Sequence, residues 1–527
     1  MNIHELQEKI SEKEFDFVRG ILNITPNVRV FLVGGIVRDA LLGRENPDYD
    51  FVVENIEIDK LVEILKGYGR VTDVSGRNFG VIKFTPEGEK RQFDLSIPRT
   101  ERYQSGKRRS DAEVKTDKVT LKDDFMRRDF TVNAIAIPLN KVISTKSDPL
   151  SSRATGRESR DLLEDSSASV GMTGNDGLME IYDLFGGVED IQNKIIRAVG
   201  DPEERFEEDP TRILRAVRFA CRLDFEIEPE TFSAMKKLKG EILKTFEKED
   251  GTKLQRVSNE MIGIEIAKAI EGNPIKFLSL FDDLGLLPEL LPEIEKLKGV
   301  EQPIEWHSEG DAFVHTKLVV SNIPADSSLE LKLAALFHDI GKYDTREPKT
   351  VNQLISKSAN QQTIHFYGHD KVSVEKARLI LNRYRFKKDL IENVSWLIEN
   401  HMRIMSFPQM RIFKQKDMAR HPQFLNLIKL SEADDAATIP TTAKKSVFLP
   451  TVREIVKQLE EEEKAGKPRQ ILNGNEIIEL LKREKPGFDI KSEGKLIGEL
   501  KRKVNEEYDE GLIKSKNEAL DWLRSNV

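Results

Sequence analysis

Residues 30–54, VFLVGGIVRDALLGRENPDYDFVVE, constrain the fold more than any other stretch of this chain. Val30 to Val33 reads as a short apolar strand, Gly34-Gly35 as a tight exit, and the next residues as a short helix carrying Arg38 and Asp39. A turn from Gly43 to Pro47 leads into a second strand holding Asp48 and Asp50. Two glycines between strand and helix let a phosphate approach backbone N–H groups at the positive end of the helix. Asp48 and Asp50, at i and i+2 on a strand, project from one face. Neighbouring carboxylates repel unless a hard cation lies between them, which is how Mg²⁺ is held for phosphoryl transfer. Each feature alone has an ordinary reading, as a turn or a solvated strand end. Joined in this order they supply a cradle for a triphosphate and a bed for metal, the two halves of a nucleotidyl-transfer site.

A chain of 527 residues is too long for one core and should hold three or four domains. Charged residues at 33% against 38% hydrophobic suit a soluble, helix-rich protein. No run approaches the roughly 18 apolar residues of a membrane span, and MNIHELQEKISEKEF reads as a polar amphipathic helix rather than a signal peptide. No membrane partner is expected. Cys221, the single cysteine, excludes an intramolecular disulfide and fits a reducing cytoplasm. A net charge of −8 argues against a generic nucleic-acid coat, so any RNA contact must come from local basic patches.

The expected class is α+β. Residues 28–138 alternate short β-rich runs (VRVFLVG, DYDFVVE, FGVIKFT, RQFDLSI, FTVNAIAI) with helices, giving a small α/β head domain over 1–143. Residues 144–178 are rich in Ser, Thr, Gly and charge without apolar periodicity, and read as a disordered insertion. Period-3.6 patterning then runs to the end of the chain as an elongated, all-helical region. It divides into a neck and body over 179–300, a histidine-rich domain over 301–445 and a helical tail over 446–527. No internal repeat is present.

The strand RQFDLSIPR offers Asp94 as a third carboxylate for the metal bed, or as an exposed edge residue. The charged loop that follows carries Lys107-Arg108-Arg109, able to meet phosphates or to form a solvated tip. In RRDFTVNA, Arg127 and Arg128 have the planar fork that suits triphosphate oxygens. Asp129 and Asn133, spaced i, i+4, could contact a ribose hydroxyl and steady the turn. In RFEEDPTRILRAVRFACRLDF, the arginines 212, 215, 218 and 222 line one side of a helix. Asp209 and Pro210 could simply start that helix, yet Glu208, Asp209 and Arg212 also offer what a base edge needs. Downstream, His315, His338-Asp339, His365, His369, His401 and Asp434 spread over helices of one stretch, as ligands from a bundle do around one or two metals.

These motifs together resemble a known family. GGIVRD…DYD, RRDFTVNAIAI, YDLFGGVEDIQNKIIRAVGDP and EEDPTRILRAVRF look like class II CCA-adding enzymes, tRNA nucleotidyltransferases of the poly(A) polymerase head-domain group. EWHSEGDAFVHT and the later histidines look like the HD domain appended in many bacterial members, and ILNGNEIIELL with KNEALDWLR like the family's tail. The resemblance covers nearly the whole chain outside 144–178. It implies CCA addition to tRNA from CTP and ATP, with no obligatory protein partner. Gly34, Gly35, Arg38, Arg127, Arg128 and Asp129 would hold the triphosphate and ribose. Asp48 and Asp50 would hold Mg²⁺; on the strand reading above, Asp94 could also help orient the attacking hydroxyl. Glu208, Asp209 and Arg212, beside Arg215, would select CTP and then ATP. Residues 100–126 would be the family's flexible loop, reading KRRSD where an Arg-x-Pro pattern is usual.

In the HD domain, His315, His338, Asp339 and Asp434 are expected to hold Mn²⁺, Ni²⁺, Fe²⁺ or Co²⁺, with His369 and His401 extending the site to two metals. Such a centre could hydrolyse a phosphoester, for instance a 2′,3′-cyclic phosphate. The competing readings are a bacterial poly(A) polymerase, an HD phosphohydrolase with an inactive head, and a nonenzymatic RNA-binding protein.

Overall fold

The computed structural model describes residues 2–24, 26–72, 81–102, 113–139, 169–174, 177–248, 250–304, 307–348, 364–439, 449–466 and 470–527. Two compact units divide the chain, Met1–Glu289 and Leu290–Val527.

The first unit is built on a sheet. Its strands are β1 (Arg29–Val33), β2 (Asp50–Glu54), β3 (Gly69–Thr72), β4 (Val81–Pro86) and β5 (Phe93–Ser96), then β8 (Ile135–Pro138), β9 (Ser169–Gly174) and β10 (Gly177–Asp183). Between them β6 (Thr100–Arg102) and β7 (Glu113–Lys115) form a separate hairpin. The order across the sheet is β3-β4-β5-β2-β1-β8-β10-β9. Within it β2 and β5 run parallel, which sets Asp50 beside Asp94 in register. The central strands β1 and β2 are buried along both faces after their first residue. Phe51 points into a cluster with Phe15, Phe17 and Phe93, whereas Val52 faces the opposite layer with Phe31, Leu121 and Phe125. A strand alternates its side chains, so a centre strand covered on both sides must be apolar throughout. The open strand ends are left for polar residues.

Two expectations change here. Asp48 precedes β2 rather than lying on it, because the strand begins at Asp50. Buried Tyr49 between them still turns both carboxylates away from the core. The stretch 144–178, read as disordered throughout, contributes β9 and the start of β10 to the sheet, with Gly177 paired to Gly174 and Tyr182 to Ser169. The backbone of β10 also pairs with β8, so ladder hydrogen bonds link this segment to the rest of the sheet. Residues 140–168 and the cluster Lys107-Arg108-Arg109 lie outside the described residues.

After the sheet the unit becomes helical. Helix Pro202–Glu208 starts on Asp201, whose carboxylate accepts from the Glu203 amide, and Pro202 sits where an N–H would be unpaired anyway. Helix Thr211–Leu223 follows after a break at Asp209-Pro210 and buries a nearly continuous face. The second unit is a helical bundle over Ala312–Asn322, Leu329–Phe337, His369–Arg383, Lys388–Asn400 and Phe424–Ala437, followed by the helices Leu449–Lys464, Gly474–Glu484, Ile490–Asp509 and Lys516–Asn526. The last three close over their own core of Leu472, Ile477, Leu481, Val504 and Leu523. The helical region also contains two-stranded pairings of two or three residues, at 195–196 with 226–227, 245–247 with 253–255 and 347–348 with 364–365. Runs that short are below the length at which period-2 alternation can be read.

Candidate active site and metal centre

In the first unit a cavity of about 320 Å³ opens at the ends of β1 and β2. It gathers Gly34, Gly35, Arg38, Asp48, Asp50, Arg127, Arg128, Asp129, Asn133, Arg212 and Arg215, together with Asn46 and Phe219. Gly34 has φ of 73°, and a Cβ there would stand 3.0 Å from Arg128 Nη1, so a side chain would be strained and would crowd the guanidinium.

The cationic side chains are held by a chain of carboxylates. Buried Arg38 donates through Nε to Asp39 Oδ1 at 2.8 Å and through Nη1 to Asn133 Oδ1 at 2.6 Å. Asn133 donates to Asp129 Oδ1 at 3.2 Å, and Arg215 Nε donates to Asp129 Oδ2 at 2.8 Å. Burial alone would raise the Asp129 carboxyl. The charge and hydrogen bonds of Arg215 outweigh it and hold the group well below the usual carboxylate range. Arg127 donates to Asp124 Oδ1 and Glu101 Oε1, and Arg128 to Asp124 Oδ2 and to the carbonyl of Asn133. Asp124, fully buried, therefore fixes both arginines, and its spacing three and four residues before them was the available sequence signal.

The acidic group is arranged differently. Asp50 keeps an exposed residue surface, yet its carboxyl is pushed up to about 6, first by local desolvation and then by Asp94 and Asp48. Asp94 lies beside Asp50 across β2 and β5 but outside the cavity lining, and its Oδ1 is 3.8 Å from Lys83 Nζ. Carboxylate oxygens such as those of Asp48 and Asp50 are donors that suit a hard cation such as Mg²⁺.

Of the candidate base-reading residues, Arg212 lines the cavity and Glu208 and Asp209 do not. Arg212 Nη1 donates to Glu208 Oε2 at 3.0 Å, and Nη2 to the carbonyl of Arg127 at 2.8 Å. Asp209 is buried, and its Oδ1 accepts from the Thr211 amide at 3.0 Å, the cap geometry that its position before Pro210 implies. Phe219 and Asn46 were not singled out in the sequence. Phe219 has the guanidinium carbons of Arg38, Arg215 and Arg218 at 5.5, 5.6 and 4.3 Å from its ring centre, and Asn46 ties Asp39 at 2.7 Å. The i+7 spacing of Phe219 from Arg212 was the one available signal for it.

The second unit holds a buried histidine centre. Ligand atoms of His315, His338 and Asp339 lie within 4.8 Å of one another, as do those of Asp339, His369 and His401. His338, His369 and His401 share one arrangement: Nδ1 meets the carbonyl three residues back, at 2.9, 2.8 and 2.6 Å. A proton on each Nδ1 leaves the Nε2 lone pair facing inward. These three Nε2 atoms are buried, and those of His338 and His369 stand 3.1 and 3.3 Å from the oxygens of Asp339. His401 is held down to about 4, by burial and then by the neighbouring His338 and His369. His315 Nε2 is 2.9 Å from Asp434 Oδ1, and Lys342 Nζ is 2.6 Å from Asp339 Oδ2. Imidazole nitrogens with carboxylate oxygens suit first-row transition metals. His365 lies apart, stacked on Tyr367. His307 and Glu309, which meet His315 from the other side, were not identified from the sequence, although both stand in EWHSEGDAFVHT.

A triphosphate-sized cavity on a mixed sheet, joined in one chain to a buried histidine and aspartate bundle, defines a nucleotidyltransferase that carries an HD domain. Residues 30–150 match the Poly A polymerase head domain and residues 316–439 the HD domain. The Multifunctional CCA protein of Acidovorax sp. (strain JS42) is 30% identical over 418 residues, covering 78% of this chain and 82% of its own. That of Variovorax paradoxus (strain S110) is 29% identical over 422 residues, covering 77% and 85%. In fold, the Bacillus stearothermophilus CCA-adding enzyme in complex with CTP aligns with a TM-score of 0.60 at 20% identity over 98% of both chains. The Thermotoga maritima CCA-adding enzyme complexed with tRNA aligns with a TM-score of 0.51 at 18% identity over 100% of this chain and 98% of its own. The chain belongs to the CCA-adding enzymes, a family of nucleotidyltransferases.

Proposed function

We propose that the chain adds CCA to tRNA 3′ ends from CTP and ATP, acting in the cytoplasm. The observation that carries this reading is the single cavity in which Asp48 and Asp50 meet Gly34, Arg38, Arg128 and Arg212. Arg38 and Arg128 neutralise phosphate oxygens, and the bare backbone at Gly34 lets the triphosphate lie close. Mg²⁺ held by Asp48 and Asp50 would supply charge neutralisation and favour the ionised ribose 3′-OH. Asp94 orients that hydroxyl from the neighbouring strand, and Arg212 with its partner Glu208 presents the base-reading edge. Incubation with tRNA lacking its 3′ CCA and labelled CTP and ATP tests the reading. Extension by C, C and A supports it, and an unextended tRNA overturns it.

We further propose that the HD centre is a separate phosphohydrolase acting on phosphoesters such as 2′,3′-cyclic phosphates. The inward-facing Nε2 atoms of His338, His369 and His401 support a transition-metal site, with Asp339 shared between two ligand groups. A bound transition metal would supply a hydroxide nucleophile there. Hydrolysis of a cyclic phosphate by the metal-replete protein is the corresponding assay, and inert protein refutes this half alone.

A further inference from the structure

Glu309 stands just before helix Ala312–Asn322, and its side chain is only 1% exposed. One oxygen, Oε1, is 2.8 Å from His315 Nδ1 and 2.7 Å from His307 Nδ1. The other, Oε2, accepts from the Ile439 amide at 3.1 Å, just beyond the helix that carries Asp434. The carboxylate thus ties the two neighbouring histidines to the end of the helix that carries Asp434, 130 residues away in sequence.

The consequence lies in tautomers. A carboxylate only accepts, so His315 presents Nδ1–H to Glu309, which leaves Nε2, facing Asp434 and Asp339, as the nitrogen a metal would take in exchange for a proton. An acceptor nitrogen 2.9 Å from a carboxylate oxygen needs a proton or a cation between them. His338, His369 and His401 are oriented instead by neutral backbone carbonyls. His315 alone among these four has a charged orienting group, and a carboxylate behind an imidazole raises its strength as a ligand. Glu309 also aligns His307, whose ring centre lies 4.9 Å from that of His315.

We propose that Glu309 is the positioning residue of the HD metal centre, setting the tautomer and orientation of His315, an inference that rests on the metal reading above. The test is Co²⁺ affinity of the full chain after chelator treatment, by competition with a chromophoric chelator and by the visible spectrum of bound Co²⁺. Glu309→Ala should weaken Co²⁺ at the histidine site by about 10- to 100-fold, the usual effect of losing an orienting partner, and alter the spectrum. Glu309→Gln, which keeps the shape and loses the charge, should fall between that variant and wild type. It decides the matter should the alanine variant fail to fold. Ser308→Ala removes the neighbouring Ser308 Oγ to Ile439 carbonyl hydrogen bond (2.8 Å) without touching His315, and should bind Co²⁺ as wild type does.

His338→Ala separates the two readings. If it loses the site while both Glu309 variants bind normally, the positioning role is overturned and the metal site stands. If His338→Ala binds Co²⁺ unchanged, the metal reading falls and takes this inference with it. A Ser308→Ala loss equal to that of Glu309→Ala would mark Glu309 as a mere staple of the segment, and would also overturn the proposal.

Discussion

Arg215 reaches from helix Thr211–Leu223 to Asp129, 86 residues away, and its Nε donates to Oδ2 at 2.8 Å. Through Asn133 the same carboxylate is linked to Arg38, so one buried acid orders two of the cations lining the cavity. Asp129→Asn should leave Arg215 without its counter-charge. A loss on the order of 3 kcal/mol is expected, at the low end for a broken buried pair because Arg215 keeps a quarter of its side chain exposed. The sign with pH follows from the depressed Asp129 carboxyl. Its stabilisation is full above the unfolded value of about 4 and is lost as pH falls below that toward the folded value. Denaturant melts of wild type and Asp129→Asn at several pH values should therefore differ most above about pH 4 and converge in stronger acid.

Asp50 has the opposite linkage. Its carboxyl is raised to about 6 by desolvation and by Asp94 and Asp48, so in metal-free protein the charged form opposes folding above that pH. Asp50→Asn should melt slightly higher than metal-free wild type near pH 8, with the gap closing as pH falls below 6. The same variant, and Asp48→Ala, should lose nucleotide addition. A variant that melts normally yet extends tRNA at the wild-type rate would remove Asp50 from the proposed chemistry.

Much of this site was legible because its residues are local. Gly34, Arg38, Asp48 and Asp50 fall within one strand–helix–strand passage, whereas Asp94, open in the sequence between a metal-bed carboxylate and an edge residue, is set beside Asp50 by the pairing of two strands. The pairing of Arg215 with Asp129 was not legible, since the two meet only when separate elements come together, whereas Asp124 stands three and four residues before Arg127 and Arg128, a helical spacing that could have been read. Glu309 escaped for a related reason: a lone acid in a loop has no periodicity, and its value appears only when His315, His307 and Ile439 converge on it. The strand β9 was missed because its six residues, two of them glycine, sit in a polar stretch and its pairing with β10 is seen only in the fold. Asp209 was read as a base contact or a helix cap, and its bond to Thr211 has the cap geometry.

Arg212 is expected to have two separable roles. Its guanidinium ties Glu208 to the carbonyls of Arg205 and Arg127, so Arg212→Ala takes a donor from three partly buried acceptors. That should cost about 1–3 kcal/mol in thermal or denaturant unfolding. Arg212→Lys restores charge without the planar fork and should recover part of the stability but not base choice. Competitive incorporation of all four nucleotides separates the roles. Increased UTP and GTP use in both variants supports base reading, whereas unaltered choice with lowered stability leaves Arg212 as a structural tie only.

The head cavity and the histidine centre have separate donor sets, oxygen in one and imidazole with oxygen in the other. His338→Ala should therefore remove hydrolysis of a cyclic phosphate and leave CCA addition within about twofold of wild type, while Asp50→Ala should do the reverse. Metal dependence should divide the same way. Chelation followed by Mg²⁺ alone should restore nucleotide addition, whose donors are hard oxygens, and leave hydrolysis low until Mn²⁺, Ni²⁺ or Co²⁺ is supplied. Hydrolysis that returns with Mg²⁺ alone, or that survives His338→Ala, would place that activity outside the histidine centre.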